Sequence, residues 1–295
     1  MSAPIKLAYY PGCTMKNHAR NFEDATWSAM ASLGVEMEEL KRWNCCGTVY
    51  SLAVDDIMRR LAPIRNLIRA KQGGASEFAT ACAMCYNTIK RANNHVKEYP
   101  ETLSRMNEFM DQEPDYHGDV SVTHLLEFLR DKVGFEAMGE KVKKPLKGLK
   151  VACYYGCLLM RPRSVAFDDP ENPKVMENLV QTLGAEPVDF AHKMECCAAY
   201  KTVDRPDIVA DQTYKILTSA KGQGADVVMV SCPLCAFNLD QRQELALERH
   251  PELRHLPVVY FTQLMALALE SGETALDSKR HHIDPRPVLA AKELV

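Results

Sequence analysis

Apolar and polar positions along the 295-residue chain follow two alternating periods. Short, nearly unbroken apolar runs cover Ile5 to Tyr10, Glu77 to Ala81 and Val120 to Val122 in the first half. Leu149 to Tyr155, Val227 to Ser231 and Val258 to Phe261 do the same in the second. Runs of this length, bounded by Gly, Pro and polar residues, predict strands buried on both faces. Between them the period lengthens. Ile57, Leu61, Ile64 and Ile68 recur at helical spacing, with Pro63 as a kink or a start. Val175, Leu179 and Leu183 recur likewise, with Gly184 as the helix stop. Helix-like segments also span 87–97 and 237–249, and the apolar stretch from Thr262 to Leu269 reads as core. Strand–helix alternation of this kind predicts α/β architecture with small, mostly parallel sheets and flanking helices.

The pattern is written twice. Lys6 to Cys13 resembles Lys150 to Cys157, and Ser32 to Glu36 resembles Thr182 to Glu186. Trp43-Asn44-Cys45-Cys46-Gly47 resembles Met194-Glu195-Cys196-Cys197-Ala198, and Ala81 to Cys85 resembles Ser231 to Cys235. The offset in these blocks runs from 144 to 151. A fifth match, Val122 to Leu125 with Phe261 to Leu264, has an offset of 139. One order and nearly one offset point to a duplicated domain. The Lys/Pro/Gly stretch 143–148 separates residues 1–146 from 147–295, the second unit carrying a C-terminal tail. Two such units are expected to face each other about a pseudo-two-fold axis, with a cleft between them.

Net charge is −3 and the sequence pI is near 6.3, which argues against nucleic acid or an anionic membrane as the main partner. The N-terminal residues lack a secretory pattern, and no apolar stretch is long enough to span a bilayer. The expectation is a cytoplasmic protein, with any membrane association supplied by partners. Eleven cysteines is the abnormal number. In a large chain without a secretion signal they point to metal or redox chemistry rather than a disulfide framework.

Ten of the eleven obey the repeat. Cys13, Cys45, Cys46, Cys82 and Cys85 form one set, and Cys157, Cys196, Cys197, Cys232 and Cys235 the other. Cys153 stands where the first half has Tyr9, so it reads as a small buried strand residue. A structural zinc takes four ligands, and five thiols is one too many. A redox dithiol would use each C-x-x-C alone and leave three cysteines over. Iron–sulfur chemistry suits thiolates better, and a fifth ligand with a vicinal pair suggests an opened cluster. Each C-x-x-C also lies between a strand and a helix, the ligand-binding edge of an open α/β sheet. Gly12 and Gly156 precede the first thiol of each set and allow a close backbone approach. Lys16, His18, Arg20, Arg161 and Arg163 follow those first thiols. They either bind an anionic group on a substrate or sit on solvated loops, and His18 is a candidate proton donor.

Through these residues the chain resembles the tandem cysteine-rich, or CCG, proteins, named for a Cys-Cys-Gly such as Cys45-Cys46-Gly47. Over about residues 5 to 290, including the tail His281 to Pro287, it is similar to the catalytic B subunits of heterodisulfide reductase. The resemblance implies two non-cubane [4Fe–4S] clusters, one per five-cysteine set, with the clusters as the catalytic centre and Lys16 and His18 as candidate helpers. It implies reductive cleavage of a disulfide to two thiols. The substrate would be the mixed disulfide of coenzyme M and coenzyme B or another small-molecule or protein disulfide. Implied partners within the heterodisulfide reductase complex are a ferredoxin-like iron–sulfur subunit and a flavoprotein subunit. CCG domains also occur in succinate and fumarate reductase complexes, so an electron-transfer or anchor role is the alternative. One departure stands out: Ala198 replaces glycine in the second motif. If Gly47 has positive φ, an alanine in that conformation costs about 1 kcal/mol.

Overall fold

The computed structural model describes residues 5–48, 57–272 and 276–295. It holds two four-stranded sheets, all strands parallel, one in each half. The first comprises β1 (Ile5–Tyr9), β2 (Val35–Glu39), β3 (Glu77–Thr80) and β4 (Ser121–His124), in the order β2-β1-β3-β4. The second comprises β5 (Lys150–Tyr154), β6 (Glu186–Val188), β7 (Val227–Val230) and β8 (Val258–Tyr260), in the order β6-β5-β7-β8. In the first half the helices are α1 (Cys13–Asn17), α2 (Arg20–Ser32), α3 (Met58–Gln72), α4 (Ala83–Glu98), α5 (Pro100–Phe109), α6 (Leu125–Phe128) and α7 (Phe135–Gly139). In the second they are α8 (Val175–Thr182), α9 (Pro206–Gly222), α10 (Pro233–Ala236), α11 (Gln243–Arg249), α12 (Phe261–Ala268) and α13 (Arg286–Ala290). A π-turn, Phe237–Gln241, joins α10 to α11.

The six strands expected from unbroken apolar runs are all present. Each sheet adds an edge strand that those runs do not reveal. β2 reads Val-Glu-Met-Glu-Glu, with Val35 buried and Glu36 and Glu38 exposed. β6 contains Pro187, which cannot donate to a ladder and is tolerated at an edge. Glutamate and proline on these strands also blunt edges that would otherwise pair with other chains. Pro63 neither starts nor stops a helix, since α3 runs through it. Gly184 follows Leu183 just past α8, as expected for a helix stop. Cys153 is fully buried within β5.

The fifth repeat match needs correction. The register pairs Thr80 with His124 and Val230 with Tyr260. His124 and Tyr260 each precede a helix, α6 or α12, with Glu127 or Gln263 bonding back to the cap residue's backbone N–H. The equivalent residues are therefore His124 and Tyr260, three positions away from the letter match. That match rested on a shared threonine and leucine, whereas the ladder fixes the alignment.

The halves are joined by α2 against α12. Thr26 Oγ1 donates to Thr262 Oγ1 at 3.4 Å, and Phe22 meets Phe261 edge-on at 5.6 Å. Each half also lays a phenylalanine on the ring that ends the other's fourth strand. Phe22 stacks on Tyr260 at 4.1 Å, and Phe167 stacks on His124 at 5.8 Å. The reciprocal stacks place α2 and the segment after Cys157 in equivalent roles.

Candidate functional site

In the order β2-β1-β3-β4 the direction of winding reverses between β1 and β3, which opens a crevice at their carboxyl ends. Cys13 follows β1, and Cys82 and Cys85 follow β3, so three thiols of the first set arrive at that point. Cys157, Cys232 and Cys235 occupy the same positions after β5 and β7. The vicinal pairs arrive on loops that two tyrosines fasten. Tyr10 Oη donates to Asn44 O at 2.7 Å, and Tyr154 Oη to Glu195 O at 2.6 Å. Both carbonyls belong to the residue before the first cysteine of a pair. The repeat aligns Tyr10 with Tyr154 but assigns them no role; their signal lies in the repeated block itself.

The sulfurs meet in pairs. Cys13 Sγ lies 3.5 Å from Cys45 Sγ, and Cys197 Sγ lies 3.6 Å from Cys235 Sγ. The Cys85 thiol is perturbed by its neighbours Cys46 and Cys82, and that of Cys157 by Cys196. The two sets also adjoin: Ala83 N, next to Cys82, donates to Ser231 O, next to Cys232, at 3.0 Å, and the Cys82 and Cys232 thiols shift each other's ionisation. Four cysteines of the second set, Cys157, Cys196, Cys197 and Cys235, line one small void together with the fifth, Cys232. Gly12 (φ 78°) and Gly156 (φ 65°) provide the close approach expected of them. A Cβ on Gly12 would lie 2.8 Å from Cys85 Sγ, and one on Gly156 would lie 3.3 Å from Cys235 Sγ.

Hydrogen bonds donated to neighbouring sulfurs, together with burial, push the Cys13, Cys46, Cys85, Cys157 and Cys235 thiols up. The exposed Cys45 and Cys196 go the other way. Cys45 is pulled far below the usual thiol range by hydrogen bonds from Cys13 and Cys46, then from the backbone N–H of Gly47 and Thr48. Cys196 falls to about 6 through Cys157 and the N–H groups of Ala198 and Ala199. Each set thus exposes one acidified thiol. His124 lies behind them, neutral, its pKa pushed down to about 3 by complete burial. Its Nε2–H donates to Ala81 O at 2.9 Å, and its Nδ1 accepts from Leu126 N.

Among the described residues, no three His, Cys, Asp or Glu side chains converge on a point suited to one metal ion. The donors are instead ten soft thiols in two spread groups, without a carboxylate or imidazole among them. That donor chemistry fits iron–sulfur ligation.

The basic candidates separate. Lys16 Nζ is held by Glu23 at 2.5 Å and Glu39 at 2.6 Å, so its charge is already matched. His18 is exposed and lines a cleft between the halves. Arg20 and Arg163 are exposed, and Arg161 lies 3.6 Å from Glu171 on the rim of an open cleft beside Cys157 and Cys196.

Ala198 has φ 60° and ψ 32°, and its counterpart Gly47 has φ 81°. Both residues have positive φ, so the condition posed by the sequence comparison is met. Ala198→Gly is therefore expected to stabilise the protein by about 1 kcal/mol, read from the denaturation midpoint. An unchanged or lowered midpoint would show that no strain is stored there.

The fold and thiol arrangement define a tandem cysteine-rich α/β protein. The description "Cysteine-rich domain" of the CCG family matches residues 7–90 and 151–240, one copy in each half. The chain belongs to that family, in the two-copy form that includes heterodisulfide reductase B subunits. It is 30% identical over 291 residues to the B subunit of the ferredoxin/F(420)H(2)-dependent CoB-CoM heterodisulfide reductase of Methanosarcina acetivorans, covering 97% of this chain and 96% of that one. It is 32% identical over 281 residues to the 8-methylmenaquinol:fumarate reductase membrane anchor subunit of Wolinella succinogenes, covering 95% and 97%. A crystal structure of a hypothetical protein from Helicobacter pylori superposes with a TM-score of 0.75 at 15% identity, covering 95% of this chain and 52% of that one. That likeness concerns the fold alone. Among the described residues no helix is long and apolar enough to cross a membrane.

Proposed function

We propose that the chain is the disulfide-reducing subunit of a heterodisulfide reductase-type complex, holding two non-cubane [4Fe–4S] clusters. Cys13, Cys45, Cys46, Cys82 and Cys85 hold one, in a domain of residues 1–146. Cys157, Cys196, Cys197, Cys232 and Cys235 hold the other, in residues 147–295, about a pseudo-two-fold axis. The observation that carries this reading is the adjacency of two equivalent thiol sets, whose C-x-x-C segments are tied by Ala83 N to Ser231 O at 3.0 Å. One substrate at that seam lies within reach of both.

When bound, each cluster takes up and gives out one electron at a time. Cleaving a disulfide takes two. R–S–S–R′ gains two electrons and two protons, the S–S bond breaks, and R–SH and R′–SH leave. The electrons come from a ferredoxin-like iron–sulfur partner, with a flavoprotein behind it. The chain needs such a donor, since its sequence contains no nicotinamide or flavin fingerprint. Its own residues place the thiols, exclude water behind them and bring protons. For the proton, His18 is better placed than Lys16, which is held by Glu23 and Glu39. The working location is the cytoplasm, with membrane contact through partners. The substrate is the coenzyme M–coenzyme B disulfide or another small-molecule or protein-bound disulfide.

The 32% identity to a fumarate reductase membrane anchor subunit favours a second reading, electron transfer without disulfide cleavage. One assay separates the two. Anaerobically purified protein with its full iron content is mixed with reduced methyl viologen and a panel of disulfides. Two thiols should form per disulfide consumed, and His18→Ala should slow that turnover without losing iron. Fully loaded protein that reduces none of the panel would favour the electron-transfer reading. Unchanged turnover in His18→Ala would remove His18 from the reaction.

A further inference from the structure

The two sets match in their thiols, in the backbone that serves them and in the charges beside them. The N–H groups of Gly47 and Thr48 bond to the Cys45 sulfur, and those of Ala198 and Ala199 to the Cys196 sulfur. Each half also holds one lysine between two carboxylates. Lys16 lies 2.5 Å from Glu23 and 2.6 Å from Glu39, and Lys193 lies 3.0 Å from both Glu177 and Asp189. Lys16 shares α1 with Cys13, and Lys193 lines the open cleft beside Cys157 and Cys196. These fixed charges are the same in number and sign.

The hydroxyls differ. Thr48 Oγ1 lies 3.3 Å from Cys46 Sγ, and Thr14 Oγ1 lies 3.9 Å from Cys13 Sγ. The repeat puts Ala199 where the first half has Thr48, and Leu158 where it has Thr14. Both replacements are apolar, and both line the small void shared by the second set's cysteines, with Met84 and Leu234. Two tyrosines complete that lining, and their hydroxyls donate outside the set. Tyr155 Oη donates to Glu177, and Tyr200 Oη to Met84 Sδ at 3.5 Å. An iron-bound thiolate has no proton to give, so at Cys46 and Cys13 the threonine hydroxyl is the donor. A hydrogen bond to a ligand sulfur stabilises the extra negative charge of a reduced cluster, and apolar burial opposes that charge.

We propose that the two clusters are unequal: the first set's cluster takes an electron at the more positive potential, and Thr48, with a smaller share from Thr14, sets the difference. The inference rests on the iron–sulfur part of the proposed function and stands whether or not a disulfide is cleaved. Of two electrons delivered one at a time, the first to arrive comes to rest at the first set.

The test is a potentiometric titration of iron-loaded protein followed by electron paramagnetic resonance, after iron and sulfide have been counted. Cys196→Ser isolates the first set's cluster and Cys45→Ser the second's. The first should be reduced at the more positive midpoint. Thr48→Val, which keeps the shape and removes the hydroxyl, should move the first set's midpoint down and leave the second's in place. Thr48→Ser, which keeps the hydroxyl, should hold the wild-type value. Ala199→Thr should move the second set's midpoint up. If either cysteine variant loses all its iron, the two steps are followed in chains with both sets intact. There Thr48→Val should lower the upper step alone, and Ala199→Thr should raise the lower step alone. Equal or reversed midpoints overturn the inequality, and so does a fully loaded Thr48→Val whose midpoint does not move. Wild-type protein without iron and sulfide defeats the cluster assignment itself, and the inequality with it.

Discussion

Serine in place of Cys45 is expected to halve the metal content, from about eight iron and eight acid-labile sulfide per chain to about four of each. Cys196→Ser should remove the other half. The reasoning starts from the sheets. Each thiol set is anchored on its own four-stranded sheet, so loss of one exposed ligand leaves the other set's strands, helices and loops in place. Serine keeps the shape but does not ionise to a soft ligand. Cys45 and Cys196 are suited to the test because both are exposed, so the hydroxyl loses little solvation. Cys153→Ser is the control. Its sulfur is fully buried in β5 and belongs to neither set. The exchange should keep full iron while costing about 1–3 kcal/mol for a buried hydroxyl. Iron, sulfide and zinc are counted after anaerobic purification. Stoichiometric zinc without sulfide would defeat the iron–sulfur assignment in both halves.

Much of this architecture is legible in the letters, and the reasons differ from feature to feature. The central strands announce themselves because parallel strands buried on both faces must be apolar throughout. Of the edge strands, β4 and β8 still show as apolar runs, whereas β2 and β6 do not, because an edge strand tolerates Glu36, Glu38 and Pro187. The ligand sets are legible because duplication wrote the same spacing twice. The left-handed turn at Ala198 is legible for the same reason, by comparison with Gly47. The slipped match at His124 shows the limit of letters: a ladder register is set by hydrogen bonds, and a shared Thr and Leu can imitate it. The adjacency of the two C-x-x-C segments, through Ala83 N and Ser231 O, lies further out of reach, since nothing in a sequence fixes how two duplicated units face each other. The same holds for Tyr86 and Asn87. They look like ordinary helix residues until the segment after Cys157 is seen lying against them.

Gly12→Ala should be the most damaging change outside the cysteines. Gly12 has φ 78° and ψ 157°, a region that only glycine enters readily. Holding alanine there costs about 1–3 kcal/mol. The new methyl would also stand 2.8 Å from Cys85 Sγ, too close for any real contact. Cys85 cannot yield easily, because its sulfur is buried against Cys46 and Cys82. Overpacking of that kind adds about 1–3 kcal/mol. The two effects share one cause, the strand end brought onto the second thiol of the C-x-x-C, so they should act together. The expected result is a melting temperature lower by roughly 10 °C and loss of the first set's iron, with the second set's retained. Gly156→Ala provides the internal scale. Its Cβ would lie 3.3 Å from Cys235 Sγ and from the Tyr154 ring, close enough to require a small shift rather than a rearrangement. Its effect on melting and on the second set's iron should therefore be smaller. Were the two alanine variants equally mild and fully loaded, the close approach of backbone to sulfur would not be what positions these thiols. The tyrosine-fastened loops carrying Cys45-Cys46 and Cys196-Cys197 would then have to do it alone.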